Sequence, residues 1–399
     1  MRRIRFRLVF VVCVGVAVVA VWWQYGDARY AEHSRQALKN RQWKELASLS
    51  RSWSEADPKN AESWLHRAEA ARQQRDFVSA DGFLAKIPPI GEFGVRALEA
   101  RIELQFGPLN QPLGAIESCL SLLQCDPASK IGHQRLIYFF AFTLQRRKLI
   151  DQVRDAAARR CEPREAYTYL FLADSLRLAN AGAQNARWLE SDPASELFSV
   201  AQAVQIAETL EGQTLRDDPE LLAKIKASVE RRDRTLEELL QKYPHNLELL
   251  AFFLRQATEQ GDASRVTDLL TQAPAEAESD HRFWRYRGWL LQNHDELDEA
   301  EAAYRQALKL HPLDWRTRHL LAGIMRRQGD LAEARRQESL VMQANPLWVA
   351  LQKQETVRAI PAQILKDLAA YAAGCQDDLI AESLHSQLQR YDRTKGPLK

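Results

Sequence analysis

One spacing governs the second half of this chain. Across 281–312, Trp284, Gly288, Ala300, Tyr304, Ala307 and Pro312 hold offsets that return 34 residues later. There Leu321, Ala322, Met325, Ala334, Val341 and Pro346 stand in the corresponding slots, and one period earlier Leu250, Phe253, Leu254, Val266, Leu270 and Ala273 do the same. A fixed period of this length predicts stacked helical hairpins, because each unit cannot bury its apolar face without a neighbour. A stack of hairpins more often binds than catalyses.

Composition agrees with an all-α chain. Gly and Pro are scarce, at 16 and 15 of 399 residues, while Ala, Leu, Glu, Gln and Arg dominate; these are good helix formers. Hydrophobic residues at 46% provide ample burial. The 55 basic and 53 acidic residues leave a net charge of only +2, which argues against a continuous basic face and therefore against a nucleic-acid partner. Five cysteines, Cys13, Cys119, Cys125, Cys161 and Cys375, are odd in number and contain no C-x-x-C pair. They read as small buried apolar residues.

The N-terminus reads as a membrane address. Arg2, Arg3, Arg5 and Arg7 precede an uncharged run from Leu8 to Tyr25 that closes with Trp22, Trp23 and Tyr25. A spanning helix needs roughly 17–25 residues, and the flanks match the positive-inside and aromatic-interface pattern. Residues 1–7 are thus expected to be a cytoplasmic basic segment and 8–25 a single-pass signal anchor. The body then lies outside the cytoplasm, in a bacterial periplasm or a eukaryotic secretory lumen. The alternative is secretion after cleavage, since Val18-Val19-Ala20 and Gly26-Asp27-Ala28 loosely resemble peptidase sites. Bulky Trp22 and Trp23, and the charge of Asp27, count against it.

The window 281–314 resembles a tetratricopeptide repeat. Trp284, Gly288, Ala300, Tyr304, Ala307 and Pro312 match the family pattern, whereas Arg287 replaces its Leu and Leu291 its Tyr. Gly288 and Ala300 are small where two helices cross; Trp284 and Tyr304 are large where neighbouring hairpins must be filled. Pro312 stops the second helix. Acidic residues Asp295, Glu296, Asp298 and Glu299 open that helix at its positive end, and Lys309 with His311 closes it. The resemblance implies a right-handed α-solenoid of such hairpins, joined here to one N-terminal transmembrane helix.

Regular repeats are expected at 247–280, 281–314 and 315–348, the first with Pro274 in place of its terminal proline. Residues 27–180 carry degenerate copies: Trp43, Leu46, Leu49, Trp53 and Pro58 read as one second helix. Trp64, Ala68, Ala71, Ala80 and Leu84 continue the pattern, and Leu136, Phe139, Phe140, Phe142 and Leu144 form another apolar face. Residues 181–246 read as an irregular helical connection, with Asn180–Pro193 and Glu211–Pro219 as loops. Residues 349–391 read as capping helices split by Gly374, and 392–399 as a disordered tail.

The chain lacks a glycine-rich phosphate loop, an H-E-x-x-H and a G-x-S-x-G. His311 and His319 read as surface residues, and the many carboxylates as solvated helix faces. No catalytic residue, metal or cofactor is expected, and the chain is not expected to be an enzyme. The resemblance instead implies a concave groove lined by the second, fifth, ninth and twelfth positions of each first helix. Those are Arg282, Arg285, Trp289 and Gln292, then Arg316, His319, Gly323 and Arg326, preceded by Glu248, Ala251, Arg255 and Thr258. Four arginines and a tryptophan on one strip suit a carboxylate or acidic peptide; the plain alternative is solvated helix surface. The family's clamp for chaperone tails needs Asn at the ninth position, where Trp289 and Gly323 stand. The function expected is a membrane-anchored scaffold binding a partner protein or peptide. The alternative is an accessory subunit of a cell-envelope enzyme, secretion or assembly complex, and an independent enzyme ranks last.

Overall fold

The computed structural model describes residues 29–176, 178, 180–211, 219–354 and 360–395. The expected basic segment 1–7 and anchor 8–25, with Cys13, lie outside the described residues, as do most of Glu211–Pro219 and residues 396–399. Among the described residues no helix is long and apolar enough to cross a membrane. All regular structure among them is helical, and it divides into two compact units at Gly132 and His133.

In the first unit α1 (29–39) pairs with α2 (Trp43–Ala56), α3 (Ala61–Gln73) with α4 (Phe77–Leu84), and α5 (Gly91–Phe106) with α6 (Pro112–Cys125). Trp64, Ala68, Ala80, Leu84, Ala97 and Leu104 form its main core. Trp64 fills that core and still satisfies its indole, which donates to the Pro58 carbonyl at 2.9 Å.

The second unit opens with α7 (Lys130–Phe142), α8 (Arg146–Ala158), the short α9 (Ala166–Phe171) and a 3-10 turn at Ala173–Ser175. Then come α10 (Ala181–Ser191), α11 (Glu196–Glu211) and α12 (Pro219–Lys242). The hairpins α13 (Leu247–Gln260) with α14 (Ala263–Thr271), α15 (His281–Asn293) with α16 (Leu297–Leu310), and α17 (Trp315–Gln328) with α18 (Leu331–Gln352) follow. A last pair, α19 (Ala362–Gly374) and α20 (Asp378–Lys395), ends the unit.

Each first helix of the regular stretch starts on a side-chain cap. Asn246, Asp280 and Asp314 accept from backbone N–H groups of their own first turns at 3.0–3.2 Å. The turn inside each hairpin places one residue in the left-handed region. That residue is Gly261, Asp295 or Gly329 in the regular repeats, Leu144 and Gln376 elsewhere in the unit, and Arg41, Arg75 and Asn110 in the first unit. Within α15–α16, Tyr304 lies over Gly288 so closely that a Cβ there would stand 2.5 Å from the ring.

Four expectations are corrected. Asn180–Pro193 is not a loop: Ala181, Ala183 and Ala186 favour the helix α10, and Trp188 anchors it between Phe139 and Phe198, with ring centroids 5.3 and 5.4 Å away. Pro346 does not stop its helix. α18 runs through it to Gln352 because Leu347 and Leu351 are buried beyond it, so tertiary packing offsets the lost backbone bond. The tail expected from 392 is helical to Lys395. Finally, α19–α20 does more than shield a stack end. Arg154 of α8 pairs with Asp377 at 2.5 Å, and Tyr167 of α9 donates to Ser383 at 2.8 Å.

Candidate functional site: an arginine-walled cavity

The first helices α13, α15 and α17 present their inner faces to one cavity of about 480 Å³. Its lining takes all four groove positions of α13 (Glu248, Ala251, Arg255, Thr258). Three come from α15 (Arg282, Arg285, Trp289) and the first two from α17 (Arg316, His319). Gln292 is turned into its hairpin, where it accepts from the Tyr304 hydroxyl at 2.9 Å. Arg326 is exposed and pairs with Glu338 at 3.3 Å on the α17–α18 surface. The far wall is α11 and the turn Ala173–Ser175, which contribute Glu208, Asp174 and Ser175.

Arg282 and Arg285 are not solvated. They are 4% and 6% exposed, and their guanidinium groups are held by carboxylates. Arg282 meets Asp280 and Glu248, each at 2.6 Å. Arg285 meets Asp174 at 2.5 Å and Asp314 at 2.7 Å. Arg146 of α8, which no sequence pattern singled out, joins the same network through Glu248 at 2.9 Å and Glu208 at 3.3 Å and also donates to the Ala173 carbonyl. The expectation that carboxylates sit on solvated faces therefore fails here: Asp280, Asp314 and Glu208 are buried and Glu248 and Asp174 nearly so. His311 is also corrected from surface to interior. It is 2% exposed and packs on His281 with ring centroids 4.7 Å apart.

Buried charge is tolerated only when paired and hydrogen-bonded, and the titration behaviour follows. Burial alone would raise the Asp280 carboxyl, but bound Arg282 outweighs it and holds the group at about 2. Burial likewise opposes ionisation of Asp174, and Arg285 and His281 reverse that, holding it well below the usual carboxylate range. Arg285 is pushed well above its ordinary value: Asp174 and Asp314 outweigh its burial. His311 goes the other way, lowered to about 3 by burial and by His281.

Asp174, His281 and Asp314 bring ligand atoms within 4.8 Å of one another, a set whose chemistry would suit a metal ion. The space between the two carboxylates is occupied by the Arg285 guanidinium, and His281 Nε2 bonds Asp174 Oδ1 at 2.7 Å. The arginine acts as the cation of that cluster.

A readable signal for part of this wall was the recurrence of a cap at the 34-residue period: Asp280 and Asp314 hold the cavity arginines, whereas Asn246 in the same slot bonds Glu196 instead. Asp174 had none. Its partners His281 and Arg285 lie 107 and 111 residues away.

Comparison with known proteins agrees with the hairpin geometry over a limited stretch. Residues 281–314, the α15–α16 hairpin with its flanks, match the model of the family described as tetratricopeptide repeat. A search of curated proteins returned no match. Among solved structures, a tetratricopeptide repeat protein from Parabacteroides merdae is 12% identical, covering 75% of this chain and 99% of its own, with a TM-score of 0.27. Pseudomonas aeruginosa pilF is 20% identical over 60% of this chain and 93% of its own (TM-score 0.31), and yeast Tom70 is 14% identical over 91% and 92% (TM-score 0.27). By the family model, the hairpin at 281–314 matches the tetratricopeptide repeat, and all regular structure among the described residues around it is helical.

Proposed function

We propose that this protein is a membrane-tethered interaction scaffold that holds a partner protein by receiving a segment of it in the cavity of the second unit. One observation carries the reading. Three successive hairpins direct their first-helix side chains into a single cavity whose ionised wall is already neutralised from within. That wall is rigid and preorganised, so little ordering of the scaffold is needed on binding. Trp289, Trp315 and His319 supply the accessible rim, and aromatic anchors of this kind dominate interface energetics. The tether in this reading is 8–25, with the body outside the cytoplasm. The chain performs no reaction of its own, and it needs neither cofactor nor nucleic acid.

The test is quantitative mass spectrometry of what the full-length chain retains when purified from its native membranes. Trp289→Ala with Trp315→Ala should lose a protein that the Arg326→Ala control retains, because Arg326 lies off the cavity. Identical sets from both variants would reject the cavity as the binding face. Removing residues 1–25 should move the chain from the membrane to the soluble fraction, and its persistence in the membrane would reject the tether.

A further inference from the structure

We infer that Arg316 is a ligand-facing cation of this cavity, and that the group it receives is a single carboxylate carried beside a flat apolar ring. This rests on the cavity being the binding site proposed above, and it sharpens what that site recognises. The strip of four arginines does not act as a unit. Arg282 and Arg285 have their donors taken by Asp280, Glu248, Asp174 and Asp314, and Arg326 is outside the cavity. Among the described residues the guanidinium of Arg316 donates no hydrogen bond. It rests 4.8 Å from the Trp315 ring centroid and is partly buried.

The neighbouring carboxylates are directed elsewhere. Asp174 accepts from His281 on one oxygen and from Arg285 on the other. Asp314 is engaged by Arg285, by the Thr317 hydroxyl and by two backbone N–H groups of its own helix. Arg316 is attracted by both but bonded by neither, and burial lowers its proton affinity below that of an ordinary arginine. A desolvated donor set without an acceptor is unfavourable, and a planar carboxylate matches the guanidinium fork.

Three properties narrow the ligand further. The other arginines of the lining are held by carboxylates, Arg146 by Glu208 and Glu248, Arg255 by Glu259, Arg282 by Asp280 and Glu248, and Arg285 by Asp174 and Asp314. One carboxylate on Arg316 is therefore accommodated, whereas further negative charge on a ligand would meet the carboxylates of that wall. Trp315 and Trp348, with ring centroids 6.5 Å apart, and Trp289 offer faces for a flat ring. The indole of Trp348 is held by the Ser175 hydroxyl at 3.1 Å, which fixes that face. A volume of about 480 Å³ has room for a large aromatic side chain or a small molecule.

The same chemistry has two sources: the terminal carboxylate of a partner chain that ends in an aromatic residue, or a free aromatic acid. Isothermal titration of the full-length protein in nanodiscs separates them. The probes are a ten-residue peptide ending in Trp with a free carboxylate, the same peptide C-terminally amidated, and indole-3-acetate. The inference predicts that the free-acid peptide binds, that amidation weakens it at least tenfold, and that Arg316→Gln does the same while Arg316→Lys recovers part of the loss. Arg316→Gln should shift the melting temperature only slightly, since among the described residues its guanidinium donates no hydrogen bond. Binding of indole-3-acetate with the same Arg316 dependence, but none of the peptide, upholds the inference and overturns the partner-segment reading. Equal binding of amidated and free peptides, Arg316→Gln binding like the parent, or no binding of either peptide or acid would overturn the inference. The amidation comparison decides the matter even if the Arg316 variants fail to fold.

Discussion

At the scale of single residues, the hairpin α15–α16 is fixed by a contact that leaves no room for a methyl group. Gly288 lies under the Tyr304 ring, and an added Cβ would sit 2.5 Å from it. Gly288→Ala should therefore cost about 1–3 kcal/mol through overpacking. Gly323→Ala, in the next first helix and with nothing within 4 Å of its Cβ position, should be neutral or stabilising by about 0.5–1 kcal/mol. Paired thermal melts measure both, and equal effects would contradict the crossing geometry. The buried arginines make a second residue-scale prediction. Arg285→Met would remove the guanidinium that bridges buried Asp174 and Asp314 and should cost about 3–5 kcal/mol. The parent network also sets a pH dependence. Asp280 and Asp174 titrate lower in the folded chain than unfolded, so the unfolded state binds more protons as pH falls. Their stabilisation is complete above about pH 5 and is withdrawn from about pH 4 downward toward 2. Buried His311, held down to about 3, adds a loss that begins below about pH 6.5. Urea midpoints measured from pH 7 to 2 should therefore fall gradually at first and more steeply below about pH 4; a midpoint that rises below pH 4 would contradict the ion-pair assignment.

At the scale of elements, the turn within each hairpin explains why half of the repeat was hidden. Gly261 and Gly329 adopt the left-handed conformation that glycine tolerates, and they marked their hairpins in the sequence. Arg41, Arg75, Asn110, Leu144 and Gln376 take the same conformation without a glycine to announce it. The legible period thus stopped near 247, whereas hairpins of the same construction lie on both sides of the regular stretch. An L-residue in this region pays about 1–2 kcal/mol. Gly329→Ala, with open space around it, should lose about that much. Arg75→Gly, at an exposed turn, should gain about 0.5–1 kcal/mol after the added chain entropy of glycine. Opposite signs in chemical denaturation are the check. Proline carried less information than its reputation at 346, because buried Leu347 and Leu351 hold α18 together beyond it. The site was legible in the same uneven way. Family positions put Arg282, Arg285, Trp289, Arg316 and His319 on one cavity, but a position says nothing about what lies opposite. Asp174 and Arg146 reach that cavity from segments more than 100 residues earlier, so three of the expected groups differ in kind: Arg282 and Arg285 are tied into the wall by carboxylates, and Arg316 is not.

At the scale of the whole molecule, ion pairs cross-brace the interior of the second unit, and Arg316 lines its cavity without donating a side-chain hydrogen bond among the described residues. The proposed division of labour among the arginines is tested most directly by site-specific photocrosslinking in native membranes. A photoreactive residue replaces His319, which is exposed on the cavity rim, and in a parallel chain replaces Met342, 75% exposed on α18 and not part of the cavity lining. The account predicts a discrete protein adduct from position 319, none of that mass from 342, and loss of the 319 adduct on Arg316→Gln without loss of folded protein. An adduct from 342 alone, or one from 319 that persists undiminished in Arg316→Gln, would contradict it.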